Sequence, residues 1–181
     1  MSPTEWEVIL SESEIASRVV QIASEIEERY GGKPLVVVPL LKGGFVFAAD
    51  LVRQMRLDVR MEFMGASSYG ERTATSGEVR LTLDTSAPLA GKDVLLVEDI
   101  VDTGLTLAYI QRLIRSRVPA SLRTAVLLDK RARRQVDVEV TWTGFVIPDR
   151  FVFGYGLDGP GGSFRNLRDI VALRDERLAD G

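Results

Sequence analysis

The stretch VLLVEDIVDTGLTLAYI (94–110) constrains the fold more than any other part of the chain. Its four leading apolar residues, Val94 to Val97, read as a strand buried on both faces, as strands are in parallel sheets covered by helices. The strand is expected to span Asp93 to Val97 and to end where Glu98 and Asp99 begin. Asp102 and the Thr103-Gly104 pair then lead into a helix over Leu105 to Arg115. LVVVPL (35–40) repeats this order, with Lys42-Gly43-Gly44 as the turn and FVFAADLVRQM as the helix. Such alternation predicts an α/β fold with a mainly parallel, twisted sheet and helices on both faces. Ligands of these sheets bind beyond the carboxyl ends of the strands. The residues just after each strand are therefore the candidate site.

The rest of the chain fills in around this unit. Ser11 and Glu14 form a capping box, and Ile15, Val19, Ile22, Ala23 and Ile26 follow at helical spacing until Gly31-Gly32. Residues 59–65 and 78–83 read as strands on either side of the polar stretch SSYGERTATSG, a mobile loop of about 66–78. SLRTAVLLD (121–129), VEVTWTGFVI (138–147) and FVFGYGLD (151–158) read as strands, and RDIVAL adds a short one. Neither a repeat nor a linker divides the sequence, so 181 residues are expected to form one domain, 1–181.

Composition removes whole classes of function. The chain has no histidine and no cysteine, which excludes Ser-His-Asp and Cys-His mechanisms and the usual zinc ligands. A metal here would be a hard ion held by oxygen, which points to magnesium. A net charge of −3 gives no overall basic footprint, so no nucleic-acid partner is expected. No apolar run approaches the roughly 20 residues that span a bilayer, so no membrane partner is expected. The acidic start MSPTEWEVILSESE is unlike a signal peptide, and the lack of cysteine suits a cytoplasmic enzyme.

Chemistry can be assigned to the turn after Val97. Amides at a helix start favour an anion, a glycine lets the backbone approach it, and the hydroxyls of Thr103 and Thr106 add donors. The pattern suits a monophosphate but is not a Walker P-loop. Glu98 and Asp99 would repel a phosphate, so they are assigned to a ribose diol. Because neighbouring strand residues face opposite ways, both reach one diol only if the strand has already ended. The alternative, that the acids only cap the helix, leaves three carboxylates where one would serve.

The run Glu98 to Thr106, EDIVDTGLT, resembles the phosphoribosyl diphosphate signature of the purine phosphoribosyltransferases, in particular those acting on hypoxanthine and guanine. LLKGG, SSYG, LLDK and IPDRFVFGYGLD extend the likeness from about Ser11 to Leu173. The resemblance implies the type I phosphoribosyltransferase fold, in which terminal segments form a small hood. It also implies purine salvage: 5-phosphoribosyl 1-diphosphate plus hypoxanthine or guanine gives IMP or GMP and diphosphate, with Mg2+ and a homodimeric or homotetrameric assembly.

Roles follow by the same resemblance. Glu98, Asp99, Asp102, Thr103, Gly104, Leu105 and Thr106 hold the ribose and its 5′-phosphate, and Asp102 is the general base. An ordinary Asp, at about 3.9, needs raising for that task, and Glu98, Asp99 and partial burial are expected to raise it. Lys42, Gly43 and Arg165 bind diphosphate, with the Leu41-Lys42 bond cis. Lys130 donates to the purine 6-oxo group, Phe151 stacks on the ring, and Val152 contacts the base edge. Asp158, beside the purine, binds a second magnesium through water, while Glu98 and Asp99 are the other metal candidates. Ser68 and Tyr69 sit on the closing loop. RARR after Lys130 reads as a solvated basic face. Between Asp158 and Arg165 the sequence departs from the family pattern: GPGGSF is one residue longer than usual and lacks the aromatic that commonly follows the aspartate. Two rivals remain, an RNA-binding regulator built on the same fold and a catalytically idle nucleotide-binding subunit, and within the enzyme class xanthine or another base could replace hypoxanthine.

Overall fold

The computed structural model describes residues 6–68 and 79–174. Two sheets organise them. The larger is built from β2 (Leu35–Leu41), β3 (Val59–Met61), β4 (Met64–Ser68), β5 (Val79–Leu83), β6 (Asp93–Val101), β7 (Ser121–Asp129) and β8 (Trp142–Val146). Its order is β5-β4-β2-β6-β7-β8, with β3 pairing separately to β2. All pairings are parallel except β4 with β5. This is the α/β sheet expected from the alternating pattern.

Three helices cover it. The first, α1 (Glu12–Tyr30), opens on the predicted capping box: Ser11 Oγ accepts from the Glu14 amide, and the Glu14 carboxylate accepts from the Ser11 amide. It ends at Gly31 with φ 57°, a left-handed conformation that a side chain would resist. Buried residues of α1 and of α2 (Gly44–Gln54) share one core with Leu35, Val37, Leu95, Val97 and Leu127. The opposite core joins Leu107, Ile110 and Ile114 of α3 (Leu105–Arg115) to Val36, Val38, Val94, Leu96 and Val126. Alternate residues of β2 and β6 thus serve opposite layers, and the sheet is buried on both faces.

The smaller sheet joins chain segments far apart in sequence. β1 (Trp6–Leu10) and β9 (Val152–Phe153) flank β10 (Ile170–Leu173), all antiparallel. Trp6 meets Phe153 and Phe164 edge-on, with centroids 5.6 and 5.4 Å apart. Arg150 pairs with Glu7 and donates to the Leu173 carbonyl, which ties both terminal strands together. This is the hood implied by the resemblance. The β1 strand is not anticipated by the sequence reading.

Several boundaries differ from expectation. Residues 59–65 form two strands instead of one, with pairing to β2 interrupted around Glu62, whose carboxylate accepts from the Ser86 amide and hydroxyl. Ser67 and Ser68, assigned to the loop, belong to β4. The remainder of that loop, with Tyr69, lies outside the described residues. Only Trp142–Val146 of 138–147 is strand, since the Glu139 carbonyl accepts from Gln111 Nε2 at 2.6 Å in place of a neighbouring strand. FVFGYGLD is strand only at Val152–Phe153, because Gly154, Tyr155 and Gly156 all have positive φ.

Phe47 of α2 is fully buried against the sheet. Phe47→Ala is expected to cost about 3–5 kcal/mol of unfolding free energy, read as a lower midpoint in chemical denaturation.

Candidate active site

The strand expected to end at Val97 continues to Val101, and this alters the geometry of the acids. Pairing of β6 with β2 stops at Pro39–Val97, while pairing with β7 runs on to Val101–Asp129. Glu98 and Asp99 therefore lie on a strand with one open edge. Asp99 lies against the start of α2: a Cβ added to Gly43 would stand 1.7 Å from Asp99 Oδ2. Glu98 turns inward and is only 8% exposed, with Oε1 accepting from the Asp99 amide at 3.2 Å. The strand has not ended there as expected, yet both carboxylates border one cavity and lie close enough to act on each other.

Burial pushes the Glu98 carboxyl well above its ordinary 4.5, and the adjacent Asp99 pushes it the same way. Asp102 has a different neighbour from the acids expected to act on it. Arg133 Nε stands 2.8 Å from Asp102 Oδ1. The carboxyl raised by burial and by acidic company is Glu98.

Two cavities meet on this rim. One, of about 100 Å³, is bordered by Asp102, Thr103, Gly104 and Thr106 together with Glu98 and Ile100. Gly104 has φ 86°, and a Cβ there would meet Arg134 and the Val136 carbonyl at about 3 Å. The Leu105 amide opens α3 and lies 3.4 Å from Thr103 Oγ1. The other cavity, of about 220 Å³, is bordered by Lys42, Gly43, Glu98, Asp99, Asp158 and Arg165. Glu98, Ile100 and Thr106 border both. The Leu41-Lys42 peptide is cis, as the resemblance implies. A roomier cavity of about 590 Å³ between α1 and α2 contains Arg165 but none of the other candidate residues.

The lengthened GPGGSF segment does not keep Arg165 away. A short 3-10 turn at Pro160–Gly162 takes up its length, and Phe164 fills the hood beside Trp6 and Phe153. Arg165 Nη1 donates to the Gly156 carbonyl at 2.6 Å, and Nη2 lies 3.3 Å from Asp158 Oδ1. Gly156 is needed for this approach, since a Cβ there would stand 2.6 Å from the Gly43 carbonyl. Nothing in its sequence neighbourhood announces that contact.

Among the purine candidates, Lys130 is linked to Asp102 through Asp149 and Arg133. Lys130 is buried, its amide bonded to the Val101 carbonyl and its Nζ 3.8 Å from Asp149 Oδ1. The Phe151 ring is 54% exposed, so it is no core residue and presents a face to solvent. Val152 is buried in β9 and pairs with Ala172. The RARR segment is not simply solvated: Arg131 and Arg134 pair with Asp129, and Arg133 pairs with Asp102 and Asp149. Arg133 and Asp149 are the site neighbours that the sequence reading missed, because neither belongs to an apolar period or a glycine turn.

A phosphate-sized hollow at a helix start, adjoining an acidic and basic cleft on a parallel sheet, is an arrangement for a phosphorylated sugar. Residues 5–159 match the phosphoribosyl transferase domain, and the chain belongs to that family. The hypoxanthine phosphoribosyltransferase of Haemophilus influenzae is 48% identical over 155 residues, 84% of this chain and 87% of the relative. The hypoxanthine-guanine phosphoribosyltransferase of Aquifex aeolicus is 45% identical over 169 residues, 93% of this chain and 94% of the relative. A solved hypoxanthine-guanine phosphoribosyltransferase from Bacillus anthracis superposes with a TM-score of 0.87 at 42% identity, covering 93% of this chain and 98% of that one.

The raised Glu98 carboxyl gives a pH dependence with a definite sign. Its folded form holds the proton more tightly than the unfolded chain does, so its contribution to stability is complete below about 4.5 and is lost as pH rises toward the folded value. Without added metal, Glu98→Gln is expected to raise Tm relative to the parent protein at pH 8 and to make less difference at pH 5. Thermal melts at the two pH values check this.

Proposed function

We propose that the protein is a purine-salvage enzyme, transferring the 5-phosphoribosyl group of 5-phosphoribosyl 1-diphosphate to hypoxanthine or guanine and giving IMP or GMP plus diphosphate. The observation that carries this reading is the pair of cavities joined at Glu98, Ile100 and Thr106. The 5′-phosphate belongs in the Thr103-Gly104 hollow, the diphosphate beside Lys42, Gly43 and Arg165, and the ribose across the residues common to both. The named relatives support the same substrates.

Each residue then has a physical task. Amides at the start of α3 and the threonine hydroxyls hold the phosphate, fixing the sugar so that C1 faces the purine pocket. Phe151 stacks on the base, and Lys130 donates to its 6-oxo oxygen, which disfavours adenine, whose amino group cannot accept there. The bond from C1 to the purine nitrogen forms as the bond from C1 to diphosphate breaks, the electron pair leaving on diphosphate. Lys42 and Arg165 stabilise that leaving charge. Asp102 accepts the proton from the purine N7. Ser68, which ends β4, and Tyr69 after it are given the task of excluding water from the substrate by the resemblance alone.

Mg2+ fits this donor set. Among the described residues no cluster of three acidic side chains forms a cage, so a divalent ion would share its coordination with substrate oxygens, as magnesium does. Glu98 and Asp99 would hold it, and a cation would oppose the burial and the Asp99 charge that push the Glu98 carboxyl up. A second ion would lie beside Asp158 through water. When bound, magnesium neutralises diphosphate charge. No helix among the described residues is long and apolar enough to cross a membrane.

Diphosphate release with magnesium, phosphoribosyl diphosphate and a panel of bases tests the reading. Release is expected with hypoxanthine and guanine and not with adenine; silence with every oxopurine would overturn it. Asp102→Asn is expected to lower kcat by about 100- to 10,000-fold.

A further inference from the structure

Arg133 lies at the end of a 3-10 turn whose backbone is well anchored. Its amide bonds to the Lys130 carbonyl, and the next residue, Arg134, pairs with buried Asp129. The side chain of Arg133 is under less constraint. Nε stands 2.8 Å from Asp102 Oδ1, while Nη1 reaches Asp149 Oδ2 at 3.4 Å. The contact with Asp102 is one of charge without a hydrogen bond, for Oδ1 is enclosed yet has no hydrogen-bond partner. The two side chains are about half exposed, 47% and 41%, and pairs of this kind are weak. Arg133 thus stands between two carboxylates, bound firmly to neither.

We propose that Arg133 is a latch on Asp102, held there in the purine-free site and displaced onto Asp149 when the base arrives. The inference rests on the reading of Asp102 as the general base. A bare carboxylate beside C1 would act on water as readily as on a purine. Water oxygen would bond to C1, the bond from C1 to diphosphate would break with its electron pair on diphosphate, and the water proton would pass to Asp102. The products would be ribose 5-phosphate and diphosphate, a wasteful hydrolysis. The guanidinium stands against Oδ1 of Asp102 and holds it by charge until a purine competes for it. Asp149 offers the displaced cation a second seat at little cost.

The test compares the parent protein with Arg133→Gln and Arg133→Lys in diphosphate release, with and without hypoxanthine. Arg133→Gln is expected to raise base-free release about two- to fivefold and to lower the hypoxanthine KM by a similar factor, the worth of an exposed ion pair, with kcat for transfer retained. Arg133→Lys should return both values toward those of the parent. Unchanged base-free release and KM in Arg133→Gln would overturn the latch. A collapse of kcat would do the same, since Arg133 would then belong to the chemistry itself. Failure of the parent protein to form any nucleotide from hypoxanthine would instead sink the underlying assignment, and the latch with it.

Discussion

The site depends on an unequal pairing of one strand. The β6 strand keeps its hydrogen bonds to β7 as far as Val101–Asp129 but loses those to β2 after Pro39–Val97. One edge of Glu98–Val101 therefore opens into a cleft while the other holds the backbone rigid. A strand that ended at Val97 on both sides would leave the acids on a loose turn. A strand paired on both sides to Val101 would leave no room for a sugar. Catalytic groups are held more accurately on such an element than on a free loop.

Close backbone approach completes the cleft. Gly43 makes room for the Asp99 carboxylate, Gly156 for the Gly43 carbonyl, and Gly104 for the turn that carries Arg134 and Val136. Each contact brings together segments distant in sequence: Gly156, just after hood strand β9, meets the start of α2, while Gly43 and Gly104 meet other parts of the main sheet's rim. Arg165 follows the same principle: it is placed by the Gly156 carbonyl and Asp158, and the inserted glycines only give its chain freedom to arrive.

Much of the framework could be read from local pattern. The capping box, the helical spacing after it, the apolar strands and the Thr103-Gly104 helix start all express short-range physics, and the structure agrees with them. The resemblance carried by EDIVDTGLT and its companion motifs assigned roles to Lys42, Asp102, Lys130 and Phe151. What could not be read locally was any feature decided by a distant partner. Glu139 is not strand because Gln111 takes its carbonyl, and β1 is strand because β10 lies beside it.

The sequence by itself determined an α/β sheet with acids, threonines and glycines at its carboxyl rim, because hydrophobic period and turn chemistry are local properties of the chain. Tertiary structure alone decided which way those acids face, which of them is buried, and which cation sits on Asp102. Those outcomes depend on where pairing stops and on what the hood brings near, and both are contacts between residues far apart along the chain.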